Sequence, residues 1–391
     1  MTKHYKKILI ANRGEIAVRI IRACKEMGIQ TISVYSKEDK ESLHTRLADF
    51  KICIGKGQSN NAYLNSYHIL SAATYLKADA IHPGVGFFSE STDFAQMCEL
   101  SGIDLICANI SALQTMGNKI LAKQAAKECS VPIIGDDSVD VKFFEGAKQV
   151  EVQVLGDKFG NIIHLGDREC SIQRYNQKII EEARCNNISE KLRYKIYEAS
   201  IRICKNINYV GPGTIKFLVL QDGSYYFMEM NTRLQGEHTI TEMLTGIDLV
   251  KEQIRIAEGN RLKYRQKDIQ FQGFALQCRV LAEYFNENGK LLPSYGRIKR
   301  WHMPGGFGIR IDTGYEVNDT VTPYYDSLLA KVCCHGNTKE EAVNKMLSCL
   351  AEIRIDGIST NVNILQQILK EYNFIKGNYF TDYFQTLFHA F

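Results

Sequence analysis

The feature that most constrains this chain is the regular exchange, over its first third, of short β-branched runs with segments of helical period. ILIAN gives way to EIAVRIIRACKEMG, then TISVYS, DFKICIG, DAIHP and DLICA, and finally the helical stretch SALQTMGNKILAKQAAKEC. Strands that alternate with helices of this length are joined by crossovers, and crossovers produce a parallel, doubly wound α/β sheet. The pattern predicts one such domain over residues 1–134. Its first turn, NRGE (Asn12 to Glu15), falls at the carboxyl end of the first strand, where open α/β sheets place their ligands. The turn is not GxGxxG, which disfavours a dinucleotide.

After VPIIG the character changes. DDSVDVKFFEGAKQ is short and irregular, and residues 135–149 read as a linker. Beyond it VEVQVLGD, NIIHLGD, GTIKFLVL and GSYYFMEMN alternate with period 2 around one helical segment, KLRYKIYEASIRICKNI. With a glycine turn at Asp222-Gly223, this predicts an antiparallel sheet with a helix on one face. The last third, from FQGFALQCRVLAEY to the helix at KEEAVNKMLSCLAEI, reads as further antiparallel strands closed by helices. The second domain is accordingly placed at residues 150–391, with an antiparallel α+β end.

A chain of 391 residues with 45% hydrophobic and 24% charged residues can bury a substantial core, and its net charge of +4 is scattered, with no basic run to track a nucleic acid. Twelve cysteines form no CxxC pair; Cys24, Cys53, Cys204 and Cys278 sit in apolar periodic segments and read as reduced core residues. MTKHYKK-ILIAN is too short for a signal-peptide core, and no stretch approaches the roughly 20 apolar residues of a membrane span. A soluble, cytoplasmic protein with no membrane or nucleic-acid partner is expected.

Four constellations could carry chemistry. YYFMEMNTRLQGEH puts Glu229 and Asn231 on one face of a strand, a pair suited to a hard cation such as Mg²⁺. Arg233, Gln235 and Glu237 continue the alternation and could hold a small oxyanion, with Glu237 as base. The solvent face of any strand would look the same. DRECSIQRYNQKIIEEA carries Gln173, Lys178 and Glu181–Glu182, and is equally readable as a solvated loop. HPGVGFFSE follows a buried strand, with Gly84 and Gly86 allowing close backbone approach, or simply a turn. In MPGGFGIR a hairpin turn accounts for the glycines and leaves Arg310.

In order along the chain these segments resemble biotin carboxylase, the ATP-grasp component of acetyl-CoA carboxylase and related biotin-dependent enzymes of, for example, fatty acid biosynthesis. The likeness runs through KKILIANRGEIAVRIIRACKEMGI, HPG-GF-SE, MGNK, VEVQV, CS-QR--QK--EEA, EMNTR-Q-EH, TGIDLVKEQIRIA, PGGFGIR, PYYDSLLAK and IDGISTNV. The family uses MgATP to activate bicarbonate and carboxylates biotin on a carrier protein. The resemblance implies that Lys178, Arg233, Gln235 and Glu237 bind and deprotonate bicarbonate, that Gly236 offers its backbone there, and that Arg310 and Gly86 face biotin. It places Lys119, Leu218 and Gln173 at the nucleotide and Glu229 and Asn231 at the metal. A homodimer, and partnership with a biotin carrier protein and other carboxylase subunits, are implied as well.

The departures concentrate on the nucleotide side. Where the family has an ATP lid with a glycine-rich loop and a second ATP lysine, only the linker at 135–149 is found, so the ATP-grasp core is expected to be lid-less. A metal-binding glutamate falls at Lys216, two histidines at Gln149 and Asn176, and a biotin-side tyrosine at Val85. Unit charges about 4 Å apart interact by roughly 4 kcal/mol at an effective dielectric near 20, so Lys216 is expected to repel Mg²⁺ and to pair with Glu229 instead. Three readings stand: a non-catalytic homologue with no firmly assigned cofactor, retained as a structural or regulatory subunit; an active biotin carboxylase with substituted ATP binding; or a chain whose lid was removed deliberately.

Overall fold

The computed structural model describes residues 2–57, 62–134, 146–175, 177–286 and 290–388. The N-terminal unit is a five-stranded parallel sheet of β1 (Lys7–Ile10), β2 (Gln30–Ser36), β3 (Phe50–Gly55), β4 (Ala80–His82) and β5 (Asp104–Leu105), in the order β3-β2-β1-β4-β5. The crossovers carry α1 (Gly14–Glu26), α2 (Leu43–Leu47), α3 (Ser66–Tyr75) and α4 (Thr92–Leu100), and α5 (Ile110–Gly117) and α6 (Lys119–Glu128) follow. Ile8 and Ile10 pack with Ile16, Ile20 and Ile21 of α1, while Leu9, Ile32 and Val34 pack with Ile69 and Phe94 of α3 and α4. The sheet is thus covered on both faces, as its apolar runs require. Strand order reverses between β1 and β4, which sets NRGE beside HPGVG. Asn12 Nδ2 donates to the carbonyls of Pro83 (2.7 Å) and Val85 (2.8 Å). Gly84, at φ +67°, has no room for a side chain there, since a Cβ would lie 2.9 Å from Asn12 Nδ2.

The remainder is built on one eight-stranded antiparallel sheet. Its strands are β6 (Lys148–Gly156), β7 (Ile162–Arg174), β8 (Gln177–Ala183), β9 (Gly211–Val219), β10 (Tyr225–Asn231) and β11 (Phe274–Leu281), then β16 (Ile309–Thr313) and β18 (Leu328–Gly336). The order is β10-β9-β6-β7-β8-β11-β18-β16, and the pairing of β8 with β11 joins the middle of the chain to its last third in a continuous sheet. Short pairs lie outside it: β12 (Glu283–Phe285) with β13 (Leu291–Pro293), β14 (Gly296–Arg297) with β17 (Thr320–Val321), and β15 (Arg300–His302) with β19 (Arg354–Asp356).

α7 (Glu190–Asn206) covers one face of β6 and β9, where Ile196, Ala199 and Ile203 meet Val150, Val152 and Val154. α8 (His238–Thr245) covers part of the other, with Ile240 and Leu244 against Ala183, Ala275 and Cys333. α9 (Leu249–Ala257) packs its Leu249, Val250 and Ile254 with α1, and α10 (Lys339–Glu352) lies on β18. No helix among the described residues is long and apolar enough to cross a membrane.

Several expectations need correction. DRECSIQRYNQKIIEEA is not a loop: it forms β7 and β8, and Glu181 and Glu182 are buried. β10 ends at Asn231, so Arg233, Gln235 and Glu237 lie on the turn leading into α8 and not on a continuing strand. MPGGFGIR is not a hairpin turn, because β15 and β16 pair with β19 and β18. Cys53 is exposed, while Cys24, Cys204 and Cys278 are buried as expected. Most of the linker, residues 135–145, lies outside the described residues.

Candidate functional site

Side chains alternate across a strand, so the polar residues Gln149, Glu151 and Gln153 of β6 share the face opposite α7. Register aligns Glu151 with Arg168 of β7 on one side and with Lys216 of β9 on the other, and Lys216 with Glu229 of β10. The result is a row of alternating charge across four strands: Glu229, Lys216, Glu151, Arg168. Lys216 Nζ lies 2.7 Å from Glu229 Oε1, the pairing expected from the sequence. Gln149 Nε2 donates to Glu151 Oε1 (2.9 Å), and Gln173 Nε2 donates to Gln149 Oε1 (2.6 Å). The two amides therefore form a relay of neutral hydrogen bonds into Glu151.

Beside this row is a buried ion cluster. The Lys178 ammonium donates to Glu151 and to Glu237, and Arg279 joins Glu181 (Nε to Oε1, 2.6 Å) to Glu237 (Nη2 to Oε2, 3.0 Å). Burial alone would raise the Glu237 carboxyl, but Lys178, Arg279 and Arg168 hold it well below the ordinary value. Glu181 moves the opposite way, because burial outweighs Arg279. Burial works against the Lys178 ammonium, yet its electrostatic neighbours Cys170, Glu151 and Glu237 lift its pKa above the usual lysine value. Glu151, Cys170 and Glu237 bring three potential metal-ligand atoms together, but the ammonium of Lys178 already bridges the two carboxylates.

Arg168, fully buried, donates to Gln153 (2.7 Å), Thr241 (2.9 Å), Thr214 (3.0 Å) and the side-chain oxygen of Gln235 (3.0 Å). Gln235 Nε2 in turn donates to Asn231 Oδ1 (2.7 Å). Gln235 and Glu237 are thus buried and held, which removes the solvent-face reading for both. Arg233 Nε is bound 2.7 Å from Glu90 Oε2, and Glu90 also receives the Thr232 backbone N–H. The carbonyl of Gly236 accepts from Lys331 Nζ (2.9 Å), which also pairs with Glu15 (2.9 Å) and Asp312 (3.8 Å).

The remaining sequence-predicted residues spread around this centre. Arg310 forms a fork with Asp312 (2.9 and 2.8 Å) and reaches Glu242 (2.6 Å), away from Lys178 and Glu237. Val85 lines a cavity of about 450 Å³ with Arg13, Glu15, Gln177, Arg279 and Tyr325, and Gly86 follows at φ +69° with open space where a Cβ would be. Leu218 pairs in register with Gln149 and is 9% exposed; Lys119 opens α6 on the exposed surface. Asn176 lies outside the described residues.

Sequence reasoning missed Glu151, Arg168, Arg279, Glu90 and Lys331. The signal was present for three of them. Glu151 sits in a Gln-Glu-Gln alternation, Arg279 follows Gln277 at period 2 in FALQCRVL, and Lys331 is a lone charge in LLAKVCC. A polar residue repeated at period 2 inside an otherwise apolar strand marks a buried polar face. Arg168 and Glu90 carried no such mark.

Comparison with known proteins agrees with this geometry. The biotin carboxylase N-terminal domain matches residues 4–113, the ATP binding domain of carbamoyl-phosphate synthase L chain residues 114–265, and the biotin carboxylase C-terminal domain residues 277–386. Biotin carboxylase 1 of Bacillus subtilis is 38% identical, covering 97% of this chain and 98% of its own. Biotin carboxylase of Haemophilus influenzae is 40% identical over 95% of this chain and 96% of its own. Among solved structures, the biotin carboxylase domain dimer of Hydrogenobacter thermophilus 2-oxoglutarate carboxylase, in complex with MgADP, ADP and bicarbonate, superposes with a TM-score of 0.93 at 37% identity, covering 99% of this chain and 98% of that one. The chain belongs to the biotin carboxylase family.

Proposed function

We propose that this chain is a biotin carboxylase homologue whose nucleotide half no longer supports turnover, and that it serves an acetyl-CoA-type biotin-dependent carboxylase as a structural or regulatory subunit. The observation that carries this reading is Lys216, 2.7 Å from Glu229 and in register with Glu151. A divalent ion needs negatively charged oxygen ligands. Here the ammonium supplies the positive charge between the two carboxylates, and an added Mg²⁺ would be repelled by it. The residues do not fit Mg²⁺. Gln149, at a family histidine, passes only neutral hydrogen bonds. The match to the Bacillus subtilis relative runs over 444 positions, more than the 391 residues of this chain, so that relative has residues without a counterpart here, as the lid-less reading requires.

What persists is an anion-side scaffold. Lys178, Gln235 and Glu237, buried, and the partly exposed Arg233, with the Gly236 backbone, are each held by protein partners in an arrangement suited to a small oxyanion. This favours a second reading, an active ATP-dependent biotin carboxylase acting on a biotin carrier protein with substituted nucleotide contacts. The deciding experiment is bicarbonate- and biotin-dependent release of ADP from MgATP. No release above a protein-free blank is expected, beside an intact biotin carboxylase that turns over. Turnover would overturn the first reading. Under that reading, affinity capture on the immobilised chain retains biotin carrier protein or carboxyltransferase subunits, and size-exclusion chromatography finds a homodimer.

A further inference from the structure

Cys334 on β18 and Cys349 on α10 meet in the apolar core of the C-terminal third, Sγ to Sγ 3.7 Å, at 0% and 2% exposure. They are fifteen positions apart, and neither sulfur touches the ion cluster described above. Cys334 is the donor in this contact, which lowers the Cys349 thiol and raises that of Cys334. Cys349 is therefore the sulfur readier to become a thiolate, and Cys334 is already positioned as its resolving partner. We infer that Cys334 and Cys349 are a disulfide-forming pair that a small peroxide oxidises within the folded protein.

The chemistry balances in two steps. The Cys349 thiolate attacks one oxygen of hydrogen peroxide, the O–O bond breaks, hydroxide leaves, and Cys349 becomes a sulfenic acid. Cys334 gives its proton to that hydroxide and attacks Cys349 Sγ; the S–O bond breaks and the second oxygen departs, on protonation, as water. Two thiols and one peroxide yield one disulfide and two waters, both sulfurs being oxidised and the peroxide reduced. Burial selects the oxidant. Peroxide is close to water in size, whereas glutathione disulfide cannot reach two sulfurs that are almost fully covered. The new bond pins α10 to β18.

The test is peptide mapping of the native protein after exposure to hydrogen peroxide, with free thiols alkylated and disulfides left intact. Trypsin separates Val332–Lys339 from Met346–Arg354. The expected result is these two peptides joined, lighter than their sum by two hydrogens and released by dithiothreitol, with glutathione disulfide giving about tenfold less product. Cys333 shares the first peptide, but its sulfur lies 3.3 Å from Thr239 Oγ1. Cys333→Ala should keep the link and Cys334→Ala should abolish it. Thiols that stay open to alkylation, a sulfinic acid without a link, a link that survives Cys334→Ala, or one that forms only in denaturant would each overturn the inference. Equal yield from glutathione disulfide would overturn the assignment of peroxide.

Discussion

The two ends of the charged face differ in how their charges are balanced. Around Lys178, five ionic groups are packed together, all but Arg279 buried, and each answers another: Lys178 to Glu151 and Glu237, Arg279 to Glu237 and Glu181. Around Lys216 there is one pair, and its carboxylate partner Glu229 is 50% exposed. A buried cluster cannot lose a member without stranding another charge away from water, whereas a half-exposed pair can be replaced by water and ions. The Lys216 end therefore tolerates a change of charge sign at little cost, and the Lys178 end does not.

The largest expected effect probes that contrast. Lys178→Met leaves Glu151 and Glu237 buried without their cation and should destabilise the fold by about 3–5 kcal/mol. Lys216→Met should cost about 1 kcal/mol or less, because solvent reaches Glu229. Urea denaturation of the two variants measures the difference; equal losses would break the comparison.

Next comes acid sensitivity. Glu237 titrates in the fold well below its ordinary value of 4.5. Its contribution is present in full above about pH 4.5 and is lost as pH falls from there toward the folded value. Glu237→Gln should be clearly less stable than the parent at neutral pH, and the gap should narrow as the pH drops below about 4.5. Denaturation midpoints across that range check it, and a gap that widens in acid would contradict the ionised state assigned to Glu237.

Lys216→Glu sharpens the comparison from the other side. It places a carboxylate between Glu151 and Glu229, and Mn²⁺ affinity measured by calorimetry should rise by about tenfold or more, equivalent to about 1.4 kcal/mol. The smallest effect is expected at Gly236. A Cβ there would meet only Arg279, at 3.6 Å, so Gly236→Val should change stability by about 0.5 kcal/mol or less in thermal melts.

The fold was legible where periodicity is strong. The exchange of β-branched runs with helices announced the parallel sheet, and period-2 alternation announced β6, β9 and β10. Lys216 and Glu229 could be paired in advance, because the family resemblance sets a lysine where a metal-binding glutamate is expected beside Glu229, and opposite charges attract. DRECSIQRYNQKIIEEA was not legible. Its strands bury polar residues, so hydropathy reads as a loop what long-range pairing turns into β7 and β8.

By itself, then, the sequence determined the order of elements and the helix-covered parallel sheet of the first unit, since local periodicity is carried by neighbouring residues. Only the tertiary structure decided that the last two thirds share one sheet, that the chain leaves the strand after Asn231, and that Arg233 pairs with Glu90. The reason is range. Glu90 and Arg233 are 143 positions apart and Lys178 and Glu237 are 59 apart, and no local pattern records which distant charge will close on which.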